Sequence, residues 1–201
     1  MAALRRIVVY NQLSADGYFA GKDGNLDWVV PDAEAHTAAV ASLASFDTML
    51  FGRRTYDQFE SFWPHAIDES PTAPEPHGAG RRSPEMRAMG MWINDSTKVV
   101  FSRTRKDVTW RNSRLVHELD PREVEALKRE PGKDIIVFGS GSIVTRLTEQ
   151  GLIDEYQLVI SPVVLGSGRT MLGDLTKSVR LTLLEAKAHA SGNVVLRYAR
   201  P

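Results

Sequence analysis

The chain contains no cysteine, which excludes disulfides, thiolate metal sites and cysteine nucleophiles together. Neither sign of charge prevails, with 25 Lys and Arg against 25 Asp and Glu, so there is no overall basic field to attract nucleic acid. No apolar run is long enough to cross a bilayer, and the one near the N-terminus is too short for a signal peptide. A cytosolic protein without a membrane partner is expected. A Gly-x-Ser-x-Gly elbow is also missing, so a hydrolase triad has no anchor. The histidines, His36, His65, His77, His117 and His189, show no metal-type pairing, and no metal is expected. What remains is an ordinary globular composition, 42% hydrophobic over 201 residues, enough for one domain spanning 1–201 with a substantial core.

Apolar, β-branched runs predict strands at residues 4–11, 48–51, 98–102, 115–117, 135–138, 156–161, 181–188 and 194–198. Helices are predicted from 31 to the mid-forties, 52–59, 84–93, 120 to about 130 and 143–149. In the first of these, Ala35, Ala38, Ala39, Ser42, Leu43 and Phe46 form a small-residue stripe suited to close packing on a sheet. Asp16-Gly17 and Asp23-Gly24 mark a loop over 14–28, kept ordered by Tyr18, Phe19 and Trp28. The Pro- and Gly-rich stretch 62–84 reads as a surface loop or lid. Strand–helix units followed by closing strands imply a mixed, mostly parallel sheet flanked by helices, with ligands beyond the C-terminal strand ends.

The stretch IIVFGSGSIVTRLTEQGLID, residues 135–154, carries the most information. A buried strand meets Gly139-Ser140-Gly141-Ser142 without a spacer, and a helix begins at once. That order offers free backbone N–H groups and a positive helix end to an anion. Val144 stands where a third glycine would complete a dinucleotide fingerprint, and no Lys-Ser/Thr pair follows to make a triphosphate loop. A tight strand-to-helix turn alone also favours Gly and Ser.

Two further strand ends carry matching chemistry. Gly52-Arg53-Arg54-Thr55 follows the second strand, and Ser102-Arg103-Thr104 the third. Were these strands neighbours, one cleft would hold three arginines, several hydroxyls and a glycine turn. Arginine grips phosphate through two parallel N–H bonds, so a guest with more than one phosphate fits, such as a dinucleotide bearing a 2′-phosphate. The alternative is that each arginine is simply solvated.

In this order the motifs resemble the dihydrofolate reductase-like superfamily, closest to its riboflavin-biosynthesis reductase branch, the RibD C-terminal domain. Ser14-Ala15-Asp16-Gly17 is similar to that branch's early Ser-x-Asp-Gly turn. Gly52-Arg53-Arg54-Thr55-Tyr56 resembles its Gly-Arg-x-Thr element, and residues 99–104, VVFSRT, its Ser-Arg-Thr strand end. Residues 138–142 take the place of its glycine pair. Gly151-Leu152-Ile153-Asp154-Glu155 and residues 161–168, SPVVLGSG, resemble the motifs framing the next strand. The resemblance spans nearly the whole chain. It implies an eight-stranded α/β sheet of the dihydrofolate reductase type, NADPH as hydride donor and, commonly, a homodimer. Arg53, Arg54, Thr55, Ser102, Arg103 and Thr104 would hold the 2′-phosphate end. Gly139, Ser140, Gly141, Ser142 and Ile143 would meet the pyrophosphate, and the loop to Ala20 would lie near the nicotinamide. Asn11, Asp16 and Trp28 would face the substrate.

Two departures qualify this. The family's paired glycines appear as Gly139-Ser140, so an unusual peptide there, cis for instance, would be costlier. Dihydrofolate reductases proper place one carboxylate early on the helix after a loop tryptophan. Here Asp32 and Glu34 straddle that place, and Asp27 precedes the ring of Trp28. A buried carboxylate beside a pterin should have a raised pKa and pass a proton to the ring, which makes Asp32 the catalytic candidate; helix capping is the competing role. Trp28 is either a substrate platform or loop packing. Gly166-Ser167-Gly168-Arg169-Thr170 is either a second anion loop or a turn. The expected activity is NADPH-dependent reduction of a small nitrogen heterocycle, nearest to 5-amino-6-(5-phosphoribosylamino)uracil reduction. A non-catalytic nucleotide- or pteridine-binding module and a dihydrofolate reductase proper are the competing readings.

Overall fold

The computed structural model describes residues 4–67 and 84–201. Most of the Pro-rich stretch expected to form a loop or lid lies outside the described residues. In chain order the elements are β1 (Ile7–Ser14), β2 (Tyr18–Ala20), α1 (Ala33–Ser42), β3 (Phe46–Gly52), α2 (Arg53–Phe62), α3 (Pro84–Asp95), β4 (Thr97–Phe101), β5 (Ser113–Val116), α4 (Pro121–Arg129), β6 (Asp134–Phe138), α5 (Gly141–Glu149), β7 (Glu155–Ser161), β8 (Arg169–Thr170), β9 (Thr182–Ala188) and β10 (Val194–Ala199).

Eight strands form one sheet in the order β5-β4-β3-β6-β1-β7-β10-β9. Strands β1 and β3 to β7 pair in parallel, and β10 runs antiparallel to both of its neighbours. This is the mixed, mostly parallel sheet that the strand–helix order predicts. The central strands carry apolar residues on both faces because helices cover both sides of the sheet. Alternation along β1 sends Ile7 and Val9 into one core, with Leu147 of α5 and Leu127 of α4. Val8 goes to the other, with Tyr56 of α2 and Ile93 of α3. Lys98 is also fully buried, its ammonium donating to the carbonyls of Asn94, Ser96 and Arg111 above the Trp110 ring. Burial pulls its pKa down to about 8.

Two features depart from the sequence reading. The 14–28 loop contains β2, which pairs with β8 as a separate two-stranded sheet. Strands of three and two residues are too short to show a period of two. The small-residue stripe of α1 is only partly used: Ala35, Leu43 and Phe46 are buried, while Ala38 stays exposed. Helix α1 lies against α3, so part of its stripe faces away from the sheet.

Candidate active site

The strand order sets β4, β3 and β6 side by side, and the register pairs Gly52 with Phe101. The three strand ends singled out in the sequence therefore lie along one edge. Ser140 ties two of them together, its hydroxyl accepting from the Gly52 N–H at 2.8 Å and donating to Thr55 Oγ1 at 2.8 Å. The β4 exit is stapled to α2 by Arg105, which bonds Asp57 at 2.6 Å and Glu60 at 2.9 Å above the Tyr56 ring. Ser102 is buried, and its hydroxyl accepts the N–H groups of Thr104 and Arg105, fixing that loop from inside. Arg54, Arg103 and Thr104 stand exposed on this edge. Arg53 also stands there and meets Asp57 at 3.4 Å, a distance at which an exposed pair contributes little.

The turn after β6 holds two successive left-handed residues, Gly139 at φ +56° and Ser140 at φ +58°. Glycine adopts that geometry freely; serine does so at a cost. No peptide bond among the described residues is cis. The hydroxyl bonds of Ser140 offset the cost of its own backbone. Asn11 braces the turn from β1: its Oδ1 accepts the Gly139 N–H at 2.9 Å, while its Nδ2 donates to Met171 Sδ at 2.8 Å. Asn11 is thus a support of the turn, not the substrate contact expected of it, because its side chain points to the α5 face of the sheet. Removing it strands a backbone donor. Asn11→Ala should therefore cost about 1–3 kcal/mol by denaturant titration. Helix α5 then starts at Gly141, and its first turn leaves the N–H groups of Gly141 and Ser142 without intrahelical acceptors. Those donors and the three arginines fit an anionic ligand with phosphates at two positions.

Other expected site residues are otherwise engaged. Ile143 is buried in the core and its N–H donates to the Ser140 carbonyl, so it does not reach the cleft. Ala20 is buried in β2 beside β8. Asp16 accepts from the Ser14 hydroxyl and from the N–H groups of Leu165 and Gly166. The Ser14 bond leads in holding its pKa below the usual carboxylate value. It secures the β7–β8 loop, in which Gly166 and Gly168 serve a turn. Trp28 is half-buried with its indole N–H enclosed.

Asp32 requires a correction. It caps α1 by accepting the Ala35 N–H at 2.8 Å, and its other oxygen receives His189 Nδ1 at 2.9 Å, Ser191 Oγ at 2.7 Å and Asn193 Nδ2 at 3.2 Å. Burial alone would raise its pKa, but these four donors outweigh it and hold the carboxyl well below the usual range. The expected raised pKa is therefore reversed, because the donors favour the charged form. Such a group retains no proton near neutrality. Glu34 pairs with Lys187 on the surface.

An aromatic wall beside the turn was not anticipated from the sequence. Phe138, the last residue of β6, has Tyr10 at 6.0 Å, Phe59 at 5.7 Å and Trp92 at 6.4 Å between ring centroids, and Phe59 leads on to Trp63 at 6.0 Å. Phe138 preceding the glycines and Tyr10 opposite it in register were the available signals. Burial, then the charge of Asp32, pushes the Tyr10 phenol up to about 12, so it stays protonated.

The sequence model of the RibD C-terminal domain family matches residues 5–195. A Bacillus subtilis (strain 168) relative, Uncharacterized protein YyaP, is 30% identical over 194 residues, covering 96% of this chain and 94% of its own length. Among solved structures, one named for riboflavin biosynthesis from Shewanella sp. PV-4 is similar at TM-score 0.73 and 23% identity, over 98% of this chain and 99% of that one. The Thermotoga maritima diaminohydroxyphosphoribosylaminopyrimidine deaminase/5-amino-6-(5-phosphoribosylamino)uracil reductase follows at 0.65 and 11%, over 98% of this chain but 57% of that one. Dihydrofolate reductase from Enterococcus faecalis, complexed with NADP(H), is similar at 0.61 and 13%, over 100% and 99%. What these likenesses share with the chain is a dihydrofolate reductase-like fold.

Proposed function

The chain belongs to the RibD C-terminal domain family, and on that footing we propose that it is an NADPH-dependent reductase of a small nitrogen heterocycle. The observation that carries this reading is the meeting of Arg53, Arg54, Arg103 and the open first turn of α5 on adjacent strand ends. In this reading Arg53, Arg54 and Arg103 hold the 2′-phosphate end, and the N–H groups of Gly141 and Ser142 take the pyrophosphate. When bound, such a cofactor supplies a hydride. The chain supplies orientation and a dry wall: Tyr10, Phe138, Phe59 and Trp92 exclude water from one side of the site. The nearest activity is that named for the Thermotoga relative, reduction of 5-amino-6-(5-phosphoribosylamino)uracil.

The ionised state of Asp32 argues against a folate-type proton relay through that residue, so solvent completes the reaction. The same observation favours a second reading, a binding module of this fold without turnover. Exposed Leu183 and Leu184 on the outer strand β9 support a homodimer. A cytoplasmic site of action accords with the lack, among the described residues, of a helix long and apolar enough to cross a membrane.

The test is a titration with NADPH and with NADH, read by quenching of tryptophan fluorescence. NADPH should bind about a hundredfold more tightly, and the Arg53→Ala/Arg54→Ala double variant should lose most of that margin while leaving NADH unchanged. Equal binding of both cofactors, or none, would remove the reductase reading. Consumption of NADPH with the phosphoribosylaminouracil then separates the enzyme from the binding module.

A further inference from the structure

The sheet continues past the three strand ends of the site to β5, which lies beside β4 at the edge. The register pairs Phe101 with Val116, and the Ser102 N–H donates to the Val116 carbonyl. His117 therefore stands opposite Ser102, where both strands end. Leu115 packs on the α2/α3 side of the sheet and Val116 on the other, so alternation returns His117 to the α2 side. Ser102 faces that side too, since Val100 packs there and Phe101 does not. Arg53 and Arg54 open α2, and Arg103 leaves β4 next to Ser102. The His117 ring is exposed, and its Nδ1 lies 3.2 Å from the Ser102 carbonyl oxygen. A carbonyl only accepts, so Nδ1 carries the hydrogen and a neutral ring presents Nε2 as a lone pair. That lone pair repels a phosphate oxygen; the imidazolium, with its second N–H, binds one.

We infer that His117 is a fourth cationic contact for the 2′-phosphate, taking up a proton from solvent as the phosphate binds, so that pH sets the preference for a 2′-phosphorylated dinucleotide. The role rests on the reductase reading and adds regulation to the same site. Histidine changes charge in the physiological range, and arginine does not. The charged groups around the ring fit a phosphate as the trigger. On α2 the carboxylates of Asp57 and Glu60 are both held by Arg105, so Arg53, Arg54 and Arg103 set the sign of the charge there. On its own segment Arg114 alternates to the other face, Glu118 follows the ring, and Asp120 is engaged in capping α4. A dianion seated among the three arginines favours the protonated imidazole.

Adenosine 2′,5′-bisphosphate is the probe, and adenosine 5′-monophosphate, which lacks the 2′-phosphate, is the control. Calorimetry in buffers of unlike ionisation enthalpy, just above neutrality, counts the protons taken up. The wild type should take up a fraction of a proton more per bisphosphate than His117→Gln, with no such difference for the control. Lowering the pH from mildly alkaline to neutral should tighten the bisphosphate about fivefold in the wild type relative to His117→Gln. That comparison cancels the phosphate's own titration at about pH 6. His117→Arg, whose charge is fixed, should match the wild type at neutrality without the proton uptake, and His117→Ala should bind more weakly. The inference is overturned if His117→Gln keeps the proton uptake or the pH dependence of the wild type. It is also overturned if His117→Arg binds no better than His117→Ala, which would leave the ring as a brace for the Ser102 carbonyl. NADPH and NADH titrations of the wild type test the reductase reading separately. A preserved NADPH preference beside an unchanged His117→Gln removes this inference alone, and no preference removes both.

Discussion

Asp32→Ala should cost about 3–5 kcal/mol of folding stability, because it leaves several enclosed donors without their acceptor at about 1–3 kcal/mol each. The Asp32 and His189 side chains are 6% and 4% exposed, so neither is rescued by water. The substitution strands the Ala35 N–H, the Ser191 hydroxyl and His189 Nδ1 at once, and leaves the Asn193 amide only its bond to the Val30 carbonyl. It also unties the start of α1 from the β9–β10 hairpin. The pH dependence follows from the direction of the shift. A carboxylate whose folded pKa is depressed contributes stability that is fully present above its unfolded value of about 3.9 and is lost as pH falls through the folded value. Wild-type stability should therefore decline from about pH 4 downward, more steeply than that of Asp32→Asn. Urea titrations of both proteins between neutrality and acid pH read this directly. Parallel curves would mean that the carboxylate is not held ionised.

Ser140→Val should be the most damaging change at the β6 turn. A β-branched side chain is an outlier in the left-handed region and adds strain to the penalty that the serine already bears. Loss of the hydroxyl leaves the buried Gly52 N–H unpaired, for about 1–3 kcal/mol more. Ser140→Ala should show only the second effect. Ser140→Gly should be mildest, because glycine relieves the backbone while losing the same bonds. The expected order of destabilisation is Val, Ala, Gly, measured as denaturant midpoints at constant m. The reductase reading adds that NADPH affinity falls in the same order, since the turn aims the first N–H groups of α5. A valine variant as stable as the alanine one would remove the left-handed backbone from the account.

Reading the sequence succeeded where a signal was local. Apolar runs ending in Gly52, in Ser102 and in Gly139 marked three strand ends, and residues within a turn of one another specified each. It failed where the partner was remote. Asp32 looks like a cap or an acid until His189, Ser191 and Asn193 arrive from the other end of the chain. Asn11 reads as a cleft residue until alternation along β1 turns it toward Met171. Packing of Trp28 was legible in its loop, but which elements enclose its indole N–H was not, because that depends on which strand lies beside which. Ile143 was misplaced for a simpler reason: helical periodicity put it on the apolar face, and the core claimed that face.

The place of β1 has a consequence for how the chain is made. This strand lies between β6 and β7, so residue 7 pairs with residue 135 and residue 14 with residue 161. During synthesis β1 emerges long before either of its neighbours exists. The sheet cannot close around its own middle until β7 has been synthesised. Pairings of such long sequence separation slow folding and leave an unpaired strand open to wrong partners meanwhile. A chain stopped short of β7 keeps its glycine turn and arginines but leaves β1 one neighbour short.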